Sequence, residues 1–257
     1  MAQPLVFSLV AGIFVGLSAG YVGSLMVLKK MALVGDALSH VALPGLALGI
    51  LFNFNPFIGA FAFLFAASAI TWYLERSTEL SAEAIIGVLF VLALSIGILI
   101  TPQPDLLEAL FGDISNVSAY DALIAVIVSI VVLVLARWIY LKTVLSLISE
   151  ELAKSSGINV SRFNFVYLFL VAMVVSIGIK LVGTLLVGAL VIVPAAATKN
   201  VSKNLFSYSI ASGIAGILSA TSGILLAYYT GLPAGPLVVI SGTLIFLVSL
   251  FWNRLVT

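Results

Sequence analysis

Long apolar segments separated by short polar stretches fill this 257-residue chain. Dividing the chain at its polar residues gives nine candidate segments, at about 5–28, 31–52, 57–74, 82–101, 117–138, 163–180, 181–199, 204–229 and 233–253. Each contains roughly 18–26 residues, or about 27–39 Å of helix at 1.5 Å per residue, which matches the thickness of a bilayer. Because these runs are continuously apolar, they predict about nine membrane-spanning helices.

The composition agrees with this prediction and excludes a soluble enzyme. Apolar residues make up 63% of the chain, charged residues only 8%, and the mean hydropathy is +1.30, whereas soluble domains are about 25% charged. We therefore expect an all-α, polytopic transmembrane bundle in the cell membrane, with residues 1–257 forming a single transmembrane domain. The first apolar segment lacks a basic n-region and exceeds the length of a signal-peptide core, which makes it the first span.

The positions of the basic residues predict the orientation, because Lys and Arg are retained on the cytoplasmic side of short loops. With the N-terminus outside and the C-terminus inside, only Lys180 lies outside. The basic residues then on the inner side are Lys29, Lys30, Arg76, Arg137, Lys142, Lys154, Arg162, Lys199, Lys203 and Arg254.

Several chemistries are excluded by residues that the chain lacks. There is no cysteine, so thiolate metal sites and thiol nucleophiles are absent, and the net charge of +1 provides no basic field for nucleic acid. The chain also has no G-x-x-x-x-G-K-[ST] motif to hold ATP phosphates. If the protein is a pump, a separate ATPase must drive it.

Two segments between the apolar runs are large enough to contact another molecule. The outer segment 101–116 has no basic residue and three acidic ones, which would attract cations or dock a partner: Asp105, Glu108 and Asp113. A structural turn, with Asp113 as a helix cap, is the alternative for this segment. The inner segment, about 139–162, contains a short amphipathic helix that ends at Gly157.

The second apolar segment contains Asp36 and His40, the only histidine of the chain. A carboxylate inside a span is unfavourable by about 2.5–3.5 kcal/mol, so such residues usually face a partner, a cavity or a transport pathway. Positions i and i+4 share one side of a helix, and together these two residues offer an oxygen and a nitrogen ligand. That donor set suits zinc, manganese or ferrous iron and does not suit copper(I). Pro44 predicts a bend or a free carbonyl beside His40.

Two other interpretations of this pair remain open. Asp36 and His40 could simply satisfy each other by a hydrogen bond, or they could relay protons in a secondary or proton-coupled transporter. An intramembrane hydrolase is poorly supported, because the chain offers neither a second membrane-depth Asp nor a second histidine for zinc chemistry.

Three sequence blocks resemble the permease subunits of ABC-type zinc, manganese and iron uptake transporters. The blocks are VGDALSHVALPGLALG (34–49), ALFGDI (109–114) and VGTLLVGALVIVPAAAT (182–198). The resemblance implies a homodimer that binds two copies of a cytoplasmic ATP-binding subunit and receives its ion from an extracytoplasmic metal-binding protein.

The resemblance also implies roles for individual residues. The metal in transit would contact Asp36 and His40, and the ATPase-coupling segment would contain Glu151, Ala153 and Gly157. The chain departs from many relatives at positions 149 and 150, where it has Ser-Glu in place of Asp-Pro. No cofactor is expected to be bound permanently, and the transported ion is expected to be a divalent metal. Zinc is slightly favoured over manganese by general affinity order.

Overall fold

The structure is a computed structural model that describes residues 2–101, 110, 112 and 117–256. It confirms the all-α bundle, and the described residues form eleven helices without a strand. In chain order these are α1 (Ala2–Leu28), α2 (Ala32–Val41), α3 (Leu43–Leu51), α4 (Pro56–Ser77), α5 (Ala82–Ile100), α6 (Ala119–Ile148), α7 (Glu150–Ser155), α8 (Val160–Val182), α9 (Val187–Lys199), α10 (Leu205–Thr230) and α11 (Ala234–Val256).

Eight stretches of this described chain are long and apolar enough to cross a membrane, counting α2 and α3 together as one span. The remaining predicted segment, the seventh in chain order at 181–199, is helical only over the 13 residues of α9. Its length is about 20 Å, which is shorter than the roughly 30 Å of hydrocarbon in a bilayer. The turn between α8 and α9 falls at 183–186, and Gly183 adopts a φ of +79° there.

The predicted interruption of the second segment is present between α2 and α3, at Ala42. Pro44 occupies one of the first two positions of α3, where its missing N–H is tolerated. Within a continuous helix the same proline would leave the carbonyl of residue 40 without its usual donor. The break therefore begins immediately after the turn that contains His40.

Helix α1 lies at the centre of the bundle and contacts α6, α8, α9 and α10. Its approach to α10 is close enough that a Cβ at Gly16 would collide with the backbone carbonyl of Gly216, and one at Gly20 would collide with that of Ser212. Without side chains at these positions the two backbones pack directly together, as in other small-residue helix interfaces within membranes.

Contacts at the helix ends agree with the alternation of sides predicted from the basic residues. Lys29, after α1, donates a 2.8 Å hydrogen bond to Asn164 near the start of α8. At the other end of the bundle, Lys180 forms a 2.6 Å ion pair with Asp121 of α6 and lies over the Phe57 ring. Each contact joins residues that were predicted to share a side. Which side is cytoplasmic stays a prediction.

The inner segment predicted at 139–162 is more helical than its polar sequence indicated. Helix α6 continues to Ile148, so that its 30 residues extend about 45 Å. Ser149 then caps the short α7 by accepting a hydrogen bond from the Leu152 backbone N–H. Gly157 follows two residues after α7 with a φ of +76°, as expected for a helix-terminating glycine.

The α1–α10 contact provides the first testable prediction. Adding a methyl group with Gly16→Ala should lower the free energy of unfolding by about 1–3 kcal/mol, because the new atom meets backbone that no rotamer change can move. Gly87→Ala on α5 is the matched control, since a Cβ there meets nothing within 4 Å. Thermal unfolding in detergent should show a lower midpoint for Gly16→Ala alone. Equal midpoints for the two variants would contradict the packing described.

Candidate metal site

Helix α2 places Asp36 and His40 on the same side, one turn apart, as their spacing predicted. Between them, the Ser39 hydroxyl donates a 2.6 Å hydrogen bond to the backbone carbonyl of Asp36. This bond satisfies the serine within its own helix. The polar groups of α2 that remain available to bind another molecule are therefore the Asp36 carboxylate and the His40 imidazole.

The His40 side chain is only 8% exposed. Its ring lies 5.3 Å from the ring of Phe90 on α5, and its Nδ1 atom is buried without a hydrogen-bond partner among the described residues. No hydrogen bond or ion pair links it to Asp36 in the part of the chain described. The structure therefore does not show the hydrogen bond between Asp36 and His40 that was one interpretation of this pair. A buried ring nitrogen of His40 is left available for a ligand.

Asp36 is only partly buried, although it lies within a membrane-spanning segment. Leu33, one turn earlier on α2, is 70% exposed, so the rest of the chain covers the surroundings of Asp36 only in part. A carboxylate at such a position is strongly unfavourable against lipid. The face around Asp36 must therefore meet another protein surface or a water-filled path.

Asp36 and His40 would form only part of a metal coordination shell. No group of three or more His, Cys, Asp or Glu side chains is close enough to hold a metal ion among the described residues. Protein-bound zinc takes about four ligands, and harder ions such as manganese take more. If Asp36 and His40 bind a metal, further donors must complete the site.

The start of α9 lies directly against Asp36, which the sequence did not reveal. Gly188, the second residue of α9, is so close to α2 that a Cβ at this position would lie 2.7 Å from the Cα atom of Asp36. Gly188 belongs to the third sequence block, 182–198, but nothing in that block indicates which helix it meets. Only the fold brings it to the candidate site.

A second partly buried charged residue, Lys29, lies in the short connection between α1 and α2. Besides its hydrogen bond to Asn164, its ammonium group lies 4.6 Å from the centroid of the Tyr167 ring on α8. Burial lowers the pKa of Lys29, and the opposite charge of Glu75 partly offsets this effect. The connection that leads into α2 is thereby attached to the first turns of α8.

The three residues predicted to couple to an ATPase lie on or next to α7, but they differ in exposure. Ala153 is fully buried against the chain's own helices, whereas Glu151 and Gly157 are exposed. Beside Glu151, Leu152 is 50% exposed, an apolar side chain on a short helix that also carries the Glu150–Lys154 ion pair. All residues of α7 except Ala153 are therefore exposed, and Leu152 is the apolar side chain among them. The predicted entrance residues Asp105, Glu108 and Asp113 lie outside the described residues.

Comparison with known proteins identifies the family to which this chain belongs. The model of the family described as "ABC 3 transport family" matches residues 1–253. The manganese import system permease protein ScaB of Streptococcus gordonii is 33% identical over 248 residues, covering 95% of this chain and 89% of the relative. The high-affinity zinc uptake system membrane protein ZnuB of Haemophilus influenzae is 33% identical over 250 residues, covering 95% of each chain.

Two solved structures have a similar fold. The structure titled "PsaBC from Streptococcus pneumoniae in complex with Fab" contains a chain that is 30% identical, with a TM-score of 0.84, covering 96% of this chain and 91% of that one. An inward-facing structure of a putative metal-chelate type ABC transporter has a TM-score of 0.77 at 19% identity and covers 96% of this chain and 85% of that one. At that identity, the second similarity concerns the fold alone.

Proposed function

Because the chain belongs to the ABC 3 transport family, we propose that it is the membrane-spanning subunit of an ATP-driven importer of divalent metal ions. Zinc and manganese both fit, since relatives of equal identity are named for each metal. The slight preference for zinc stays a prediction. The protein moves the ion across the membrane by alternating access, and the hydrolysis of ATP takes place on separate subunits.

One structural observation supports assigning the transport of metal to particular residues. His40 is buried beside Asp36 with a ring nitrogen that has no partner among the described residues, next to a break in the helix. An oxygen and a borderline nitrogen donor at this spacing suit the two metals that the relatives' names give. We therefore assign Asp36 and His40 as ligands of the metal during its passage.

A second copy of the chain would complete this site. A single chain would contribute two ligands, and the surface of α2 around the exposed Leu33 and the partly buried Asp36 is covered only in part. A homodimer with this face at its interface would bring two Asp36 and two His40 side chains together, which gives a four-ligand set. It would also remove the carboxylate from lipid.

Helix α7 is the proposed contact with the ATP-binding subunits. Its exposed surface includes Glu151 and the apolar Leu152, and the buried Ala153 attaches this surface to the rest of the bundle. At the opposite end, the acidic residues of segment 101–116 are proposed to attract the cation or to dock the metal-binding protein: Asp105, Glu108 and Asp113.

The family match does not favour the alternative of a secondary transporter, and reconstitution separates the two. If ATP drives transport, proteoliposomes with the permease alone should not accumulate metal, whereas the permease with its ATPase should do so only when ATP is supplied. Accumulation by the permease alone in response to a proton gradient would support the alternative.

For the metal ligands, we predict that Asp36→Ala and His40→Ala each lower the apparent affinity of uptake by at least about tenfold, because even outer-shell partners of metals contribute that much. The loss should be smaller for His40→Ala if other oxygen donors replace the imidazole. Uptake of ⁵⁴Mn²⁺ and ⁶⁵Zn²⁺ by cells that express each variant measures the effect.

Ser95→Ala is the control for this test, since that hydroxyl bonds within its own helix, to the Val91 carbonyl. The control should transport normally, and all three variants should be recovered as folded dimers. Normal uptake by both ligand variants would remove Asp36 and His40 from the transport pathway.

For α7, we predict that Leu152→Asp reduces copurification of the ATPase subunit by at least about tenfold while metal binding is retained. A charge at this exposed apolar position would be desolvated by a docked partner, which is strongly unfavourable without a compensating charge. Ser156→Asp adds the same charge at an exposed position after the helix and should have a smaller effect. An equal effect of the two variants would mean that α7 does not provide a specific contact.

A further inference from the structure

Gly188 makes its closest contacts with a single residue of another helix, Asp36. A Cβ built at position 188 would lie 2.7 Å from Cα, 2.8 Å from Cβ and 2.9 Å from the backbone N of Asp36. Real Cβ atoms essentially never approach other atoms within 3.0 Å. Since two of these three atoms are backbone and the third is fixed to it, no rotation of the Asp36 side chain could accommodate a methyl group.

Helix α9 is not free to move away without loss of other contacts. Val187 and Val191 of α9 are fully buried, and the carbonyl of Val191 lies where a Cβ of Gly23 on α1 would be. Just before α9, the Leu185 backbone N–H donates a 3.1 Å hydrogen bond to the carbonyl of Leu110. Helix α9 is thus held from α1 and from the 183–186 turn while its first turn contacts α2.

We propose that Gly188 is a positioning residue for the metal ligand Asp36, an inference that rests on the proposed function. The missing side chain lets the first turn of α9 fix the backbone from which the carboxylate extends. Moving a Cβ from 2.7 Å to the 3.4 Å at which ordinary contact begins requires a shift of 0.7 Å. Metal–ligand distances tolerate only about 0.2 Å, so this shift would remove the carboxylate from its ligand position.

The test compares Gly188→Ala with Gly223→Ala in the purified permease and in the assembled transporter. Gly223 is a matched control, because a Cβ there would collide with the backbone of Val238 on α11, in a helix pair that contains neither proposed ligand. Both variants should unfold at lower temperature. Only Gly188→Ala should also raise, by at least about tenfold, the Mn²⁺ or Zn²⁺ concentration needed for half-maximal uptake and for metal-induced thermal stabilisation.

A rescue experiment separates positioning from general destabilisation. Asp36→Glu lengthens the ligand by one methylene, so it should lower metal affinity alone but restore part of the affinity in the Gly188→Ala background. If the losses of metal affinity in the two single variants simply multiply in the double variant, the proposal is overturned. It is also overturned if Gly188→Ala binds metal normally while the wild type binds and transports it. A wild type that neither binds nor transports metal would instead refute the proposed function.

A second variant keeps the proposal testable if Gly188→Ala does not fold. Val187→Ala creates space beside the first turn of α9, where Val187 is fully buried and occupies the space that a Cβ of Gly178 on α8 would need. It should weaken metal binding several-fold, whereas Val132→Ala, at a fully buried position on α6, should leave metal binding unchanged. Equal metal affinities in these two variants would also overturn the proposal.

Discussion

The hydrocarbon interior of a bilayer offers no hydrogen-bond partner to backbone or side chains, and the rest of this structure follows from that constraint. Backbone groups are satisfied within helices, so the described chain consists of helices joined by short turns. Side-chain hydroxyls inside the spans largely bond to carbonyls of their own helix, as Ser39 and Ser95 do. The Nδ1 atom of His40 is an exception, and so are the buried hydroxyls of Thr71, Thr143, Tyr167 and Tyr208, which have no hydrogen-bond partner among the described residues.

The same constraint removes the ordinary hydrophobic drive for helices to associate, so contact area must come from close packing. Glycines provide it at two kinds of position. Gly16 and Gly216 bring α1 and α10 together and hold the bundle, whereas Gly188 brings α9 against the residue that carries the proposed chemistry. Close packing at glycines therefore stabilises the bundle in one place and, as proposed, fixes the geometry of a metal ligand in another.

Local features of the site could be predicted from the sequence, and long-range features could not. The shared side of Asp36 and His40 follows from i, i+4 spacing, and the break after α2 follows from the chemistry of Pro44. The turn before α9 was missed because it is built from Gly183, Thr184, Leu185 and Leu186, which continue an apolar run. Hydropathy cannot distinguish such a turn from a helix. The meeting of Gly188 and Asp36 depends on how distant helices pack, which the spacing of residues in one chain does not encode.

A site that is divided between two identical chains has a consequence for inheritance. If each copy supplies half of the ligands, as proposed from the two-ligand set of Asp36 and His40, a cell that makes intact and defective chains in equal amounts assembles three kinds of dimer. Random pairing leaves only about one quarter of them with both halves intact. A damaged allele would therefore act dominantly, because its product would also inactivate the intact chains with which it forms dimers.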